Sequence, residues 1–140
     1  MSLYIVDASV AAKWFIEEEY AEKALTLLRG SHQLHAPDFF LLEMDNILCK
    51  WTRRGLITES VCGKIRLALT TISIEKHPFA TLRDSAFTTA IQSGISIYDG
   101  LYLALAAALD GRMVTADRRL YQSLAQSPLA RNLLWVEDLA

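Results

Sequence analysis

Two aspartates stand where strands of a parallel sheet are predicted to end. Asp7 comes directly after the apolar run 3–6, and Asp117 closes the segment 113–117 after another apolar run. Open α/β sheets bind ligands outside the carboxyl ends of their strands, so we expect both carboxylates at one edge of a sheet. Each aspartate can instead serve the turn or helix that follows it, which is a purely structural role.

A third aspartate, Asp99, lies in the first turn of the segment 98–110, which is apolar on almost every side. Such a helix is predicted to be buried in the body of a domain. The helix N-terminus compensates part of the cost of burying a carboxylate there, and this alone is a structural explanation. A bound cation would supply the rest of the compensation.

Glu43 lies at the margin of the buried stripe of a long predicted helix. Asn46 follows it by one helical turn on the same side, so both side chains can reach one site. Asp45 falls beyond the opposite edge of the stripe and is expected to have a different neighbour. The structural alternative is a boundary glutamate whose head stays in water, paired with Lys50 or Arg54.

Four acidic side chains converge if these elements form one sheet edge: Asp7, Glu43, Asp99 and Asp117. Carboxylates at such short range repel one another, so they take up protons or bind a divalent cation. Oxygen ligands select Mg²⁺ or Mn²⁺ over zinc, and such a centre can activate water for displacement at a phosphodiester. Ser9 and Thr115 would add two hydroxyl groups among the acids.

Basic side chains are confined to local clusters in a chain of formal net charge −2. A chain with this balance has no overall attraction to phosphate backbones, so any nucleic-acid binding would have to be local. The candidate residues for contacts with nucleic-acid phosphates form two groups: Lys50, Arg53 and Arg54 in one, and Arg118 and Arg119 in the other. Either group can also be ordinary solvated helix surface.

The elements that must position these residues alternate between strands and helices along the 140 residues. Apolar runs predict strands at 3–6, 34–36, 72–76, 112–115 and 133–136. Helical periodicity predicts helices at 10–17, 20–29, 37–54, 58–69, 82–93, 98–110 and 117–126. Predicted caps are Ser9 and Thr58, and predicted glycine stops are Gly30, Gly55, Gly94 and Gly111. Short strands joined by helices predict a central, mostly parallel sheet flanked by helices. The fold class is a three-layer α/β/α domain spanning 1–140.

Several classes of protein are excluded by composition and motif. Hydrophobic residues make up 52% of the chain, which is too many for disorder, while the longest apolar run, 101–109, is too short to cross a bilayer. The opening residues lack a basic region and a long apolar region, so secretion is not expected. No phosphate loop, dinucleotide-binding glycine motif or nucleophile elbow is present.

Cysteines and histidines give no strong signal for a site of their own. Cys49 and Cys62 match no paired spacing, so the fold does not depend on disulfides, and a reducing cytoplasm is expected. His32 and His35 could join the cysteines in a zinc site, but no second ligand pair supports it. His77, next to a proline, is predicted to be a loop residue.

The acidic segments resemble, in the same order, the four acidic motifs of PIN-domain nucleases, and most of all those of VapC toxins of type II toxin–antitoxin systems. The matching segments are Val6–Val10, Leu42–Asn46, Ile97–Ala106 and Val114–Leu120. The resemblance implies an Mg²⁺- or Mn²⁺-dependent endoribonuclease that is dimeric, cytoplasmic and held inactive by a small cognate antitoxin. Asp7, Glu43, Asp99 and Asp117 match the family's metal-binding acids. Asp45 departs from the small apolar residue usual at its place.

Three other interpretations remain beside the toxin. One is a PIN-type nuclease that processes RNA without being a toxin, and another is a catalytically silent PIN-fold binding module, which the four acids argue against. An aspartyl phosphatase of the haloacid dehalogenase type needs a second aspartate two residues after the nucleophile. Ser9 occupies that position here.

Overall fold

A five-stranded sheet forms the centre of the computed structural model, which describes residues 2–140. Its strands are β1 (Leu3–Val6), β2 (Gln33–Pro37), β3 (Glu75–His77), β4 (Arg112–Thr115) and β5 (Leu133–Trp135). Their order is β3-β2-β1-β4-β5, and every neighbouring pair is parallel. The three-layer α/β/α class is confirmed, and β1, the strand that ends at Asp7, is the central strand.

Seven α-helices connect and cover these strands in the described part of the chain. They are α1 (Ala8–Ala12), α2 (Ala21–Leu25), α3 (Phe40–Arg53), α4 (Glu59–Thr71), α5 (Arg83–Ser93), α6 (Ile97–Ala108) and α7 (Arg118–Leu124). The predicted stops and caps operate as expected at two places. Gly55, at φ +74°, follows the end of α3, and the Thr58 hydroxyl accepts from the backbone N–H of Val61 to open α4.

The first two predicted helices are wrong in extent. The helix expected at 10–17 is the short α1, and Ser9 lies inside it instead of capping it. The helix expected at 20–29 is α2 followed by a 3₁₀ turn over Thr26–Leu28. A buried tryptophan accounts for both differences, because the Trp14 indole N–H donates to the carbonyl of Ala24 at 2.9 Å. The chain therefore bends after α1 to turn Trp14 inward.

The third strand begins later than the sequence predicts. Strand β3 covers Glu75–His77, and Glu75 pairs with His35 of β2 while His77 pairs with Pro37. The prediction that His77 is a loop residue is therefore wrong. The backbone N–H of Asp38 donates to the carbonyl of His77 at 2.8 Å, so this pairing extends just beyond the end of β2.

Helix α6 passes through the interior and fixes the position of Asp99. Its residues from Gly100 to Ala106 are buried, and it packs closely against α5. A Cβ atom at Gly100 would lie 2.8 Å from the carbonyl oxygen of Ala86, so a larger residue would push the two helices apart. Within residues 2–140, none of the helices has the length and apolar character needed to cross a membrane.

Candidate active site at the carboxyl edge of the sheet

Asp7 lies at the centre of this edge, where β1 passes into α1. Its carboxylate is partly buried and accepts a hydrogen bond from the Ser9 hydroxyl. Burial raises the pKa of Asp7 to about 6, and the negative charges of Asp99 and Glu43 add to that rise, while the Ser9 hydrogen bond opposes it. Asp7 is therefore a carboxylate that is costly to keep ionised without a compensating positive charge.

Glu43 projects from α3 toward the same edge and is held by a tyrosine of α6. The Tyr102 hydroxyl donates to Glu43 Oε1 at 2.6 Å. Burial raises the pKa of Glu43, the Tyr102 hydrogen bond lowers it, and the charge of Asp99 raises it further. Burial also raises the pKa of Tyr102, as do the charges of Asp7 and Glu43, so the phenol remains protonated and can donate.

Asp99 and Asp117 border one shallow cavity of about 300 Å³ beside the edge, together with Arg119. The backbone N–H of Asp99 donates to the Ser96 hydroxyl in the first turn of α6. Burial raises the pKa of Asp99, and the charge of Asp117 raises it further. Asp117 is exposed and caps α7, because its Oδ1 accepts from the backbone N–H of Leu120 at 3.1 Å.

Mutual repulsion links the four acids into one electrostatic group. The charges of Asp99 and Glu43 raise the pKa of Asp7, and the charge of Asp117 raises the pKa of Asp99. Their ligand atoms are nevertheless not packed into one coordination sphere. Among residues 2–140, the three ligand groups found within 4.8 Å of one another belong to His35, Glu75 and His77.

The chemistry of the donors decides which cation the acidic group fits. All four side chains offer carboxylate oxygens, the ligands that Mg²⁺ and Mn²⁺ prefer. A divalent cation would also relieve the repulsion and the burial cost that raise the pKa values of Asp7, Glu43 and Asp99. The donor chemistry and the charge of these residues therefore fit such a cation.

The supporting residues expected from the sequence divide between two kinds of position. Asn46 is exposed and lines a groove on α3 together with Glu43 and Tyr98. Thr115 is fully buried, and its hydroxyl accepts from the backbone N–H of Asp117 at 3.0 Å. Thr115 thus orients the turn that carries Asp117.

Asp45 has the separate neighbour that the helical wheel requires. Its carboxylate accepts two hydrogen bonds from Arg66 of α4, at 2.9 Å from Nε and 3.3 Å from Nη2. This ion pair connects α3 to α4 on the outer surface.

The two candidate arginines of α7 have different surroundings. Arg118 is engaged within the protein, because its Nη2 donates to the Tyr20 hydroxyl at 3.1 Å and its guanidinium lies 5.2 Å from the centre of the Trp135 ring. Arg119 instead lines the cavity that holds Asp99 and Asp117. Lys50, Arg53 and Arg54 are exposed at the opposite end of α3, roughly 10 Å or more along the helix axis from Glu43.

Tyr102 is the residue of this edge that sequence reasoning missed. It follows Asp99 by three positions, so the two side chains lie on neighbouring positions of one helix face. A single hydroxyl in a run of Leu and Ala was the available signal, because a buried phenol needs a hydrogen-bond partner.

The fold and the site together indicate the class of protein to which this chain belongs: a parallel α/β/α domain with four electrostatically linked acids at one edge of its sheet. The PIN domain family model matches residues 4–123, and the chain belongs to this family. The resemblance seen in the four acidic segments is thereby confirmed.

Within the family, the chain is similar to several VapC ribonucleases. The chain is 33% identical to Ribonuclease VapC3 of Pyrobaculum aerophilum over 118 residues, which cover 83% of this chain and 90% of the relative. It is 26% identical to Ribonuclease VapC12 of Mycobacterium tuberculosis over 121 residues, 86% of this chain and 92% of the relative.

Solved structures share the fold at lower sequence identity. The crystal structure of PAE2754 from Pyrobaculum aerophilum has a TM-score of 0.67 at 22% identity, covering 99% of this chain and 93% of that one. A toxin–antitoxin complex from Klebsiella pneumoniae gives 0.61 at 13% identity, with 96% of each chain covered. VapBC2 from Rickettsia felis, bound to a DNA fragment from its promoter, gives 0.64 at 16% identity, with coverage of 95% and 98%.

Proposed function

We propose that this protein is a VapC-type toxin, an Mg²⁺- or Mn²⁺-dependent endoribonuclease that a small cognate antitoxin inhibits. The observation that carries the proposal is the linked group of acids, in which Asp7, Glu43 and Asp99 all have raised pKa values. Perturbed carboxyl groups gathered in a cleft are typical of a catalytic centre. The similarity to VapC ribonucleases supports RNA as the substrate.

The chain's own residues divide the work at this centre. Asp7, Glu43, Asp99 and Asp117 would hold the cation, and the bound cation supplies water activation and charge neutralisation at the phosphodiester. The Ser9 hydroxyl holds the Asp7 carboxylate and the Tyr102 hydroxyl holds that of Glu43. Two of the four proposed metal-binding carboxylates are therefore oriented before a cation binds.

RNA needs positive charge near an acidic centre, and Arg119 is placed to supply it. Its side chain borders the same cavity as Asp99 and Asp117. A phosphate that approaches these acids would otherwise meet only repulsion, because the chain is net negative. We therefore assign Arg119 to the RNA-binding surface ahead of Arg118, with Lys50, Arg53 and Arg54 as a more distant extension.

Exposed apolar side chains support protein partners. Leu41 on α3 and Leu67 on α4 are 36% and 70% exposed and line one groove between the two helices, and we propose that the antitoxin covers this groove. Phe87 and Ile91, one turn apart on α5, are 62% and 71% exposed, and we propose that a second copy of the chain covers them in a homodimer. Action on cellular RNA under control of an antitoxin would take place in the cytoplasm.

Incubation of the purified protein with total RNA tests the proposal. Cleavage is expected with Mg²⁺ or Mn²⁺, and its loss is expected with EDTA and in Asp7→Asn. Absence of any cut ends with either metal would overturn the nuclease assignment. Expression in cells, alone and together with any small reading frame found directly upstream of the gene, separates a toxin from an RNA-processing nuclease, because only a toxin is expected to stop growth alone and to be neutralised by that partner.

A further inference from the structure

Two histidines and a glutamate meet on one face of the sheet. Their ligand set contains imidazole nitrogens, whereas the carboxylate centre offers only oxygens. His35 of β2 and His77 of β3 approach with Nδ1 of the first 2.8 Å from Nε2 of the second. Glu75 Oε2 lies 3.4 Å from the same His35 Nδ1. The three ligand atoms lie within 4.8 Å of one another.

The sheet itself produces this cluster. In the β2–β3 register His35 pairs with Glu75, and His77 follows Glu75 by two residues, so all three side chains project to the same face. His35 is 6% exposed and His77 is partly buried, while the Glu75 side chain is 69% exposed. The cluster thus has a rigid, shielded base and one side open to solvent.

The second ring nitrogen of His35, Nε2, is held in the way the non-ligating nitrogen of a metal-binding histidine is usually held. His35 Nε2 lies 3.3 Å from Gln33 Oε1. In the tautomer protonated at Nε2, the ring donates there and Nδ1 presents a lone pair toward His77 and Glu75. Metal-ligating histidines almost always donate their second nitrogen to such an oxygen partner, which fixes the tautomer. Burial also lowers the pKa of His35, which keeps the ring neutral.

We propose that His35, Glu75 and His77 form a zinc site that fastens the edge strand β3 to β2. Two imidazole nitrogens and one carboxylate are a ligand set suited to Zn²⁺, with water completing a tetrahedron. Tetrahedral zinc with bonds near 2.0–2.1 Å places its ligand atoms about 3.3 Å apart. The 3.4 Å contact already fits, and the His35–His77 pair would open by about half an ångström from its hydrogen-bonded distance of 2.8 Å.

The site differs from the carboxylate centre in chemistry, and so its metal can be told apart. The acids offer oxygen only and favour Mg²⁺ or Mn²⁺, whereas the imidazoles favour zinc. In the His35 tautomer protonated at Nε2, His77 Nε2 carries the proton of its 2.8 Å contact with His35 Nδ1, and when the cation binds, this proton leaves for the outer nitrogen of His77 or for solvent. The expected consequence is structural, because β3 has only three residues and lies at the edge of the sheet.

Calorimetric titration of the untagged, EDTA-treated protein with Zn²⁺, in excess Mg²⁺, tests the proposal. One equivalent is expected to bind, with affinity reduced about 100-fold in His77→Ala and about tenfold in Gln33→Ala. Glu75→Gln, at an exposed position, provides a second ligand variant that does not disturb the core. His32→Gln is the matched control, a histidine beside β2 that contacts the Tyr4 ring instead.

Nitrogen-15 spectra of the imidazoles give a second measurement, because the chain has only three histidines. Zinc is expected to shift His35 Nδ1 and His77 Nε2 while the His32 signals stay in place. Wild-type affinity in both His77→Ala and Glu75→Gln would overturn the proposal. So would loss of zinc binding in Asp7→Asn, since the ion would then belong to the acidic centre.

Discussion

The Tyr102 hydroxyl donates a 2.6 Å hydrogen bond to Glu43, and so joins the buried helix α6 to the margin of α3. The two residues are 59 positions apart in the chain. Tyr102 is 1% exposed and cannot move without disturbing the core. The carboxylate of Glu43 is therefore positioned by the interior of the protein, although it faces the carboxyl edge of the sheet.

Tyr102→Phe is expected to lower RNA cleavage about tenfold with little change in fold, because it removes one hydrogen bond to a charged group. The bond lowers the pKa of Glu43, so its loss raises that pKa further and moves the acidic limb of the pH–rate profile to higher pH. Tyr4→Phe, at a buried tyrosine of β1, is the control. Equal losses in both variants would show that packing, not the hydrogen bond to Glu43, matters.

Asp7→Asn is expected to reduce cleavage by at least 100-fold while the protein remains folded, because it removes one charge from a group of mutually repelling acids. Wild-type protein should melt at a higher temperature when Mn²⁺ is added, and the variant should show a smaller rise. Turnover at the wild-type level in Asp7→Asn would rule out the carboxylate centre as the catalytic site.

Stability should fall as pH rises through the range in which Asp7 ionises. The pKa of Asp7 is about 6 in the folded protein against an ordinary value of 3.8, so between these values the folded state binds more protons than the unfolded state. The contribution of Asp7 to stability is therefore greatest below pH about 4 and is lost by about pH 6–7, a change of roughly 1–3 kcal/mol. Melting curves in EDTA should show the stability of Asp7→Asn gaining on wild type as pH increases, whereas Asp84→Asn, at an exposed acid of α5, should not.

Arg119→Ala is expected to weaken RNA binding and to reduce the slope of log affinity against log salt by about one for a lost phosphate contact. Arg118→Ala is the matched variant one residue away. It should lower the melting temperature instead, because Arg118 contacts Tyr20 and Trp135. Wild-type slopes in Arg119→Ala would move the RNA surface toward Lys50, Arg53 and Arg54.

Asp45→Ala is expected to cleave RNA at close to the wild-type rate, since its carboxylate is bound to Arg66. The ion pair is solvent-accessible, so its loss should cost at most about 1 kcal/mol of stability. Glu43→Ala, two positions earlier on α3, is the comparison. A loss of activity in Asp45→Ala as large as in Glu43→Ala would place both acids in the same centre.

Local patterns in the sequence predicted most of the elements, because caps, glycine stops and apolar periodicity act over a few residues. Thr58 and Gly94 marked helix ends correctly, and the runs before Asp7 and Asp117 were strands as expected. The bend caused by Trp14 was not predictable, since its partner Ala24 is ten residues away.

Contacts between strands that are far apart in the sequence account for the histidine cluster, which the sequence did not predict. His35 and His77 meet because β2 and β3 are parallel neighbours, and 42 positions separate the two residues. The sequence alone offered only the spacing of His32 and His35, and His32 contacts the Tyr4 ring instead. Strand pairing sets such clusters, and it is encoded in the whole core instead of in a local motif.

The four acids of the carboxylate edge are spread over 110 positions, from Asp7 at the end of the first strand to Asp117 at the start of the last α-helix. The position of Asp117 depends on β4, because Asp117 follows this strand, and β4 pairs with β1 on one side and β5 on the other. A ribosome must therefore have made almost the whole chain before this edge can assemble. A nascent or prematurely terminated chain would carry the first acids without the rest, and under the proposed mechanism it would be unable to cleave RNA.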